Sequence, residues 1–113
     1  MVVMNIYDTA NKLASEIRTS EEYVNYKMAR EVINLRPDLK EEIGKFEQLR
    51  YEVQINQMQT GKIEEDKMKQ IQEMYATLIE IDEIKKYFDA ELKFNVLFAD
   101  VNKIIGDAIK DLV

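Results

Sequence analysis

FNVLFADVNKIIGDAIKDL, residues 94–112, places Phe94, Phe98, Val101, Ile105, Ala108 and Leu112 at intervals of four, three, four, three and four. That spacing keeps every one of them on a single face of an α-helix. Leu97, Ile104 and Ile109 widen the stripe. Ile84, Tyr87 and Phe88 lead into the same line from upstream. The pattern therefore predicts a last helix of about 28 residues, roughly 42 Å long. Asp82 can cap such a helix, or the preceding segment and this one form a single bent rod. Gly106 beside the stripe leaves room for a close backbone approach.

Working back from this helix, the chain divides into further helical segments. Asn5 can cap the first, with Asp8 in the positive end of its dipole and Ile6, Ala10, Leu13 and Ile17 on one face. At Thr19-Ser20 a new segment starts. Thr19 with Glu22 fits a capping box and Ser20 is a rival cap. Tyr23, Tyr26, Ala29 and Ile33 make its stripe. Pro37 ends that segment and opens the next, since proline disfavours helix at the residue before it and suits a first turn. Ile43, Phe46, Leu49 and Val53 mark the buried side of this third segment, and a tight helix crossing would explain Gly44 inside it. Gly61 suits a left-handed C-cap. Helix resumes after Ile63-Glu64-Glu65-Asp66, with Met68, Ile71, Tyr75 and Leu78 in line. The short joint at Gly61 makes an antiparallel hairpin with arms of about 18 to 24 residues. The fold class is all-α: one domain over 1–113, an elongated antiparallel bundle of about five helices, with long hairpin helices and a long C-terminal helix.

Composition removes most chemistry. There is no histidine and no cysteine in 113 residues, and only one proline. The formal net charge is −6, a field that repels phosphate backbones and anionic lipid, so direct nucleic-acid binding is not expected. No apolar run approaches the ~20 residues that cross a bilayer. Met1-Val2-Val3-Met4-Asn5 is short and uncharged for a secretion leader, which makes the cytoplasm the expected location. No metal or cofactor is expected. Helical di-iron sites use a Glu-x-x-His motif that a chain without histidine lacks. Glu64, Glu65 and Asp66 are neighbours on a helix and point apart, at an end where acids belong for dipole reasons. Neither a Ser-His nor a Cys-His pair can form, and three scattered glycines make no phosphate loop. An enzyme is therefore not expected.

Glu91 is the one acid on the seam, between Tyr87 and Phe94. As a partly buried carboxylate it needs a lysine, an arginine or a tyrosine hydroxyl beside it, and its expected role is a paired acid that fixes helix register. The polar side of the last helix mixes Lys85, Lys86, Lys93, Lys103 and Lys110 with acids, which suits a coiled-coil neighbour better than lipid.

A helix of that length overhangs any compact bundle the rest of the chain can build, yet its stripe stays apolar to the end. Leaving three or four such side chains in water forgoes on the order of 5–10 kcal/mol, comparable with a whole domain's stability. A partner should cover them. The simplest is a second copy, because every chain brings the same surface, so a homo-oligomer with a dimer as first expectation follows. A heteromeric protein partner is the alternative. The expected self-association residues are Phe94, Leu97, Phe98, Val101, Ile105, Ala108 and Leu112.

Several short stretches then resemble a known family. Ile6-Tyr7-Asp8-Thr9-Ala10 with Leu13 comes first, followed by Ser20-Glu21-Glu22-Tyr23 with Lys27 and by Gln57-Met58-Gln59-Thr60-Gly61. Ala90-Glu91 and Val101-Asn102-Lys103-Ile104-Ile105-Gly106 close the series. In this order the chain resembles the YlbF/YmcA family of small helical bacterial regulators, nearest its YheA-like branch. The resemblance implies an all-helical fold that self-associates, and a non-catalytic adaptor or regulatory role. In that family the role concerns competence, sporulation and biofilm formation, in some members within a complex that supports RNA processing. Those members carry cysteines tied to iron–sulfur clusters; with no cysteine here, the cluster is not carried over. A purely structural assembly unit is the runner-up reading.

Overall fold

Side-chain caps and backbone breaks set where each helix begins. The computed structural model describes residues 5–112. Met1–Met4, named above in the leader argument, and Val113 lie outside the described residues. Asn5 opens helix α1 (Ile6–Thr19), its side-chain oxygen accepting from the Tyr7 backbone N–H at 2.8 Å. Ser20 is the cap of α2 (Glu21–Asn34): its Oγ accepts from the Tyr23 N–H at 3.2 Å and donates to the Ile17 carbonyl at 2.6 Å. Of the two rival caps, Thr19 and Ser20, the structure uses Ser20. Thr19 belongs to the last turn of α1, where its hydroxyl donates back to the Ser15 carbonyl at 3.1 Å and cannot serve the next helix.

Pro37 is the first residue of α3 (Pro37–Thr60). Gly61 ends it at φ 71°, and its N–H returns to the Gln57 carbonyl at 2.8 Å. That left-handed conformation carries little penalty only for glycine. Helix α4 (Glu65–Leu78) follows, then α5 (Asp82–Ala108) and a 3₁₀ turn (Lys110–Leu112). Two details differ from expectation. The α4 arm of the hairpin is 14 residues, about 21 Å, shorter than foreseen, because the chain stays non-helical from Gly61 to Glu64 and turns at Ile79. The break before α5 is a true joint with Ile81 extended, and Asp82 lies in the first turn rather than at the cap.

The joints meet at one place. Ile33 at the end of α2, Leu39, Ile43 and Phe46 at the start of α3, Leu78 at the end of α4, and Ile84 and Phe88 at the start of α5 form the buried cluster. Ile84 is fully enclosed at 0% exposure. Phe88 lies 5.6 Å from Phe46 and 5.7 Å from Tyr75, ring centre to ring centre. Val53 is buried as well, further along α3. From this hub the helices run outward as rods. The molecule measures 61 × 38 × 17 Å, with a radius of gyration of 18.6 Å against about 13 Å for a compact chain of this length. Its thin dimension is less than two helix diameters. Five α-helices and no strand occur among the described residues, an all-α fold.

Gly44 does not mark a tight crossing. A Cβ built there meets no atom within 4 Å, and the same holds at Gly106. Both sit on solvent-facing sides of their helices. Gly44→Ala should therefore stabilise the chain by about 0.5–1 kcal/mol, since alanine loses less backbone freedom and meets no clash. Thermal unfolding followed by circular dichroism checks this; a lowered midpoint would mean something approaches that face.

Candidate protein-interaction surface

Helices α2 and α5 run antiparallel, and an aromatic ladder joins them. Tyr23 faces Phe94 at 6.0 Å, and Tyr26 faces Phe94 at 5.6 Å and Tyr87 at 5.8 Å. Rising numbers on α2 meet falling numbers on α5, down to Ile33 and Ile84 in the hub. Helix α2 has 14 residues and α5 has 27, so the shelter runs out near Phe94. Beyond it Phe98 is 49% exposed, Ile104 70% and Leu112 83%. Among the seven residues expected to self-associate, Phe94, Leu97 and Val101 are half-buried; Phe98, Ile105, Ala108 and Leu112 are exposed. Phe94 and Phe98 stack with centres 6.2 Å apart. Helix α1 does not extend the cover: none of its residues is buried, and Ile6 and Tyr7 stand in solvent.

Glu91 lies where the sheltered half of α5 gives way to the bare half. Its Oε2 accepts a hydrogen bond from the Tyr26 hydroxyl at 3.2 Å, and both residues are half-buried. The Arg30 guanidinium stands 5.6 Å from the centre of the Tyr26 ring. Burial pushes the Tyr26 hydroxyl above its ordinary value; the Glu91 charge adds to the rise, while Tyr87 and Arg30 oppose it. Burial raises Tyr87 strongly, and the Tyr26 hydroxyl and the charges of Glu91 and Glu47 act in the same direction. Glu47 on α3 is raised by partial desolvation and by Glu91. Both phenols therefore stay protonated and available as donors in neutral solution.

Beside them is a shallow hollow of about 240 Å³ lined by Arg30, Lys40, Glu47 and Tyr87. That is smaller than the roughly 300–1,000 Å³ of a small-molecule site. Among the described residues no three acidic side chains converge as metal ligands would. Glu64 is spent on the hairpin: it accepts from the Asn56 side-chain amide and pairs with Lys67 at 3.3 Å. No helix among the described residues is long and apolar enough to cross a membrane. One surface escaped the sequence reading. Val24, Met28, Val32 and Leu35 are exposed along α2, on the side away from Tyr26 and Ile33. Their spacing of four, four and three was the available signal.

The geometry defines a class: a small all-helical protein with long apolar helix faces exposed. Residues 6–110 match the family described as "Control of competence regulator ComK, YlbF/YmcA", and the chain belongs to that family. Its relatives include the UPF0342 protein of Symbiobacterium thermophilum, 32% identical over 92% of this chain and 93% of that one. The UPF0342 protein of Pediococcus pentosaceus is 32% identical over 98% of this chain and 97% of its own. The fold is similar to a solved structure titled "Protein of Unknown Function (DUF964) from Bacillus stearothermophilus". The TM-score is 0.80 at 20% identity, over 95% of this chain and 94% of the other.

The tyrosine pair generates a pH prediction. A folded-state value raised above the ordinary one contributes stability that is complete below about pH 10 and is lost as pH rises through the folded value. Stability should thus fall on the alkaline side as the unfolded chain ionises first. In a phenolate absorbance titration, Tyr26→Phe combined with Tyr87→Phe should remove the latest-ionising part of the curve. An unchanged curve would contradict the half-buried placement of the pair.

Proposed function

We propose that this chain is a non-catalytic protein–protein interaction protein, an adaptor or regulator, that works in the cytoplasm as a homo-oligomer, with the dimer as its basic unit. One observation carries the reading. The chain exposes 9305 Å² of surface, whereas a compact monomer of 13.3 kDa exposes about 6,450 Å². The surplus, roughly 2,900 Å² per chain or about 5,800 Å² for two, is at the upper end of what obligate interfaces remove, about 2,000–5,000 Å² and more in total. Phe98, Ile104, Ile105, Ile109 and Leu112 contribute apolar surface to it along the bare end of α5. In this reading Phe94, Leu97, Phe98, Val101, Ile105, Ala108 and Leu112 meet the same ridge of a second copy. Glu91 and Tyr26 act as a register pin between α2 and α5. The family's description, control of a competence regulator, supports a regulatory role in bacterial development. Within the family, the YheA-like branch is the one we take the chain to resemble most. The family resemblance also makes RNA-processing complexes a setting to examine, without the cysteine-bound cluster.

Sedimentation velocity at micromolar concentration tests the reading. The wild type should sediment at twice its 13.3 kDa chain mass. Phe98→Asp, on an exposed part of the ridge far from the hub, should sediment as a single chain with its helical signal retained. A wild type that is folded and monomeric under these conditions would overturn the proposal. So would a Phe98→Asp variant that remains a dimer.

A further inference from the structure

The apolar line on α2 borders a depression. Met28, Ala29 and Val32 of α2 and Ala90 of α5 contribute to an open groove of about 620 Å³ between the two helices. Ala29 and Ala90 create the depth, because a methyl side chain at each position leaves the space that larger residues would fill. Met28 at the lip is 60% exposed, and its unbranched thioether adapts to different neighbours. Four acids line this groove, Glu21, Glu22, Glu83 and Asp89, against two lysines, Lys86 and Lys93. From Glu21 to Val32 the α2 wall extends about 17 Å, three helical turns.

We propose that this groove docks a basic amphipathic helix from a partner protein. Three turns of groove take apolar side chains at i, i+3 or i+4, and i+7 of an incoming helix. Lysine or arginine on the flanks of that helix would meet the acidic rim. Charge decides the occupant. No helix of a second copy carries a net positive charge to set against this rim. Helix α1 of such a copy has a stripe of suitable spacing, yet its Asp8 and Glu16 balance Lys12 and Arg18 and offer the rim no net complement. The groove also leaves the self-association ridge free. The groove occupies the Glu83–Lys93 length of α5 and the ridge the Phe94–Leu112 length, so the two follow one another along the helix. This proposal depends on the chain being a docking protein, and it holds whatever the oligomeric state.

The probes are two synthetic helical peptides of about 16 residues, long enough to hold a helix in a groove. Both carry leucines at the anchor spacing; one has lysine flanks and the other glutamate. Fluorescence anisotropy should show saturable binding of the lysine peptide, at least tenfold weaker binding of the glutamate peptide, and weakening by added salt. Ala90→Phe fills the floor and should reduce lysine-peptide affinity tenfold or more, with sedimentation and helical content unchanged. Ala29→Leu serves the same purpose if the phenylalanine disturbs folding. Equal binding of the two peptides, or undiminished binding to both filled variants, would overturn the proposal. A change of oligomeric state in a filled variant that stays folded would assign the groove to a second copy and overturn it too. Sedimentation of the wild type reads the dimer separately, so the two ideas fail independently.

Discussion

A helix can shelter its neighbour only along its own length. In this chain α2 offers about 21 Å to an α5 of about 40 Å. The other features of the molecule follow from that mismatch. The aromatic ladder of Tyr23, Tyr26, Tyr87 and Phe94 occupies the shared length, and the apolar stripe of α5 continues past it into solvent. A chain running straight from α1 into α2 would have lengthened the cover. The extended backbone at Ser20, with φ −65° and ψ 150°, breaks the rod instead, and α1 leaves with no residue buried.

The hub survives this openness because it is local. Two joints, Leu35-Arg36 and Ile79–Ile81, bring four helix ends together, so few long-range closures are needed to bury Ile33, Phe46, Leu78 and Ile84. Ion pairs add little. Arg36 reaches Asp38 at 3.3 Å and Glu83 at 3.9 Å, but these side chains are largely exposed, where solvent screens such pairs and they contribute little. Stability is concentrated at one end of each rod. Helix α1, the hairpin tip near Gly61 and the free end of α5 have few buried apolar side chains, and local opening costs little there.

Features encoded in a few consecutive residues were legible beforehand. The α5 stripe depends on side-chain spacing along one helix, and Pro37 as a first helical residue, Gly61 as a left-handed cap and Asn5 as an N-cap on backbone chemistry within one turn. What depends on distant neighbours was not. Ser20 and Thr19 carry the same hydroxyl, and only the direction of the chain after Ile17 selects between them. Gly44 suggested a crossing, but a Cβ built there meets no atom within 4 Å. Leu39 joins the core because the Pro37 joint turns it inward. Glu91's need for a hydroxyl or cation was readable from its place on the seam, whereas Tyr26 as the donor required the antiparallel register. The α2 groove went unseen because alanines such as Ala29 and Ala90 look like ordinary helix formers until two of them lie side by side.

The position of Glu91 has a consequence for assembly on the proposed reading. Sliding α2 along α5 by one turn, 5.4 Å, would keep most aromatic contacts in kind, since rings pack tolerantly. It would leave a half-buried carboxylate without its hydroxyl, a loss of the order of 1–3 kcal/mol. A polar pair on an apolar seam thus penalises the alternative registers that hydrophobic packing alone would admit. The register in turn determines how many turns of α5 remain bare. A pin at Tyr26–Glu91 therefore sets the length of ridge offered to a second copy, and it does so from a place that touches no partner.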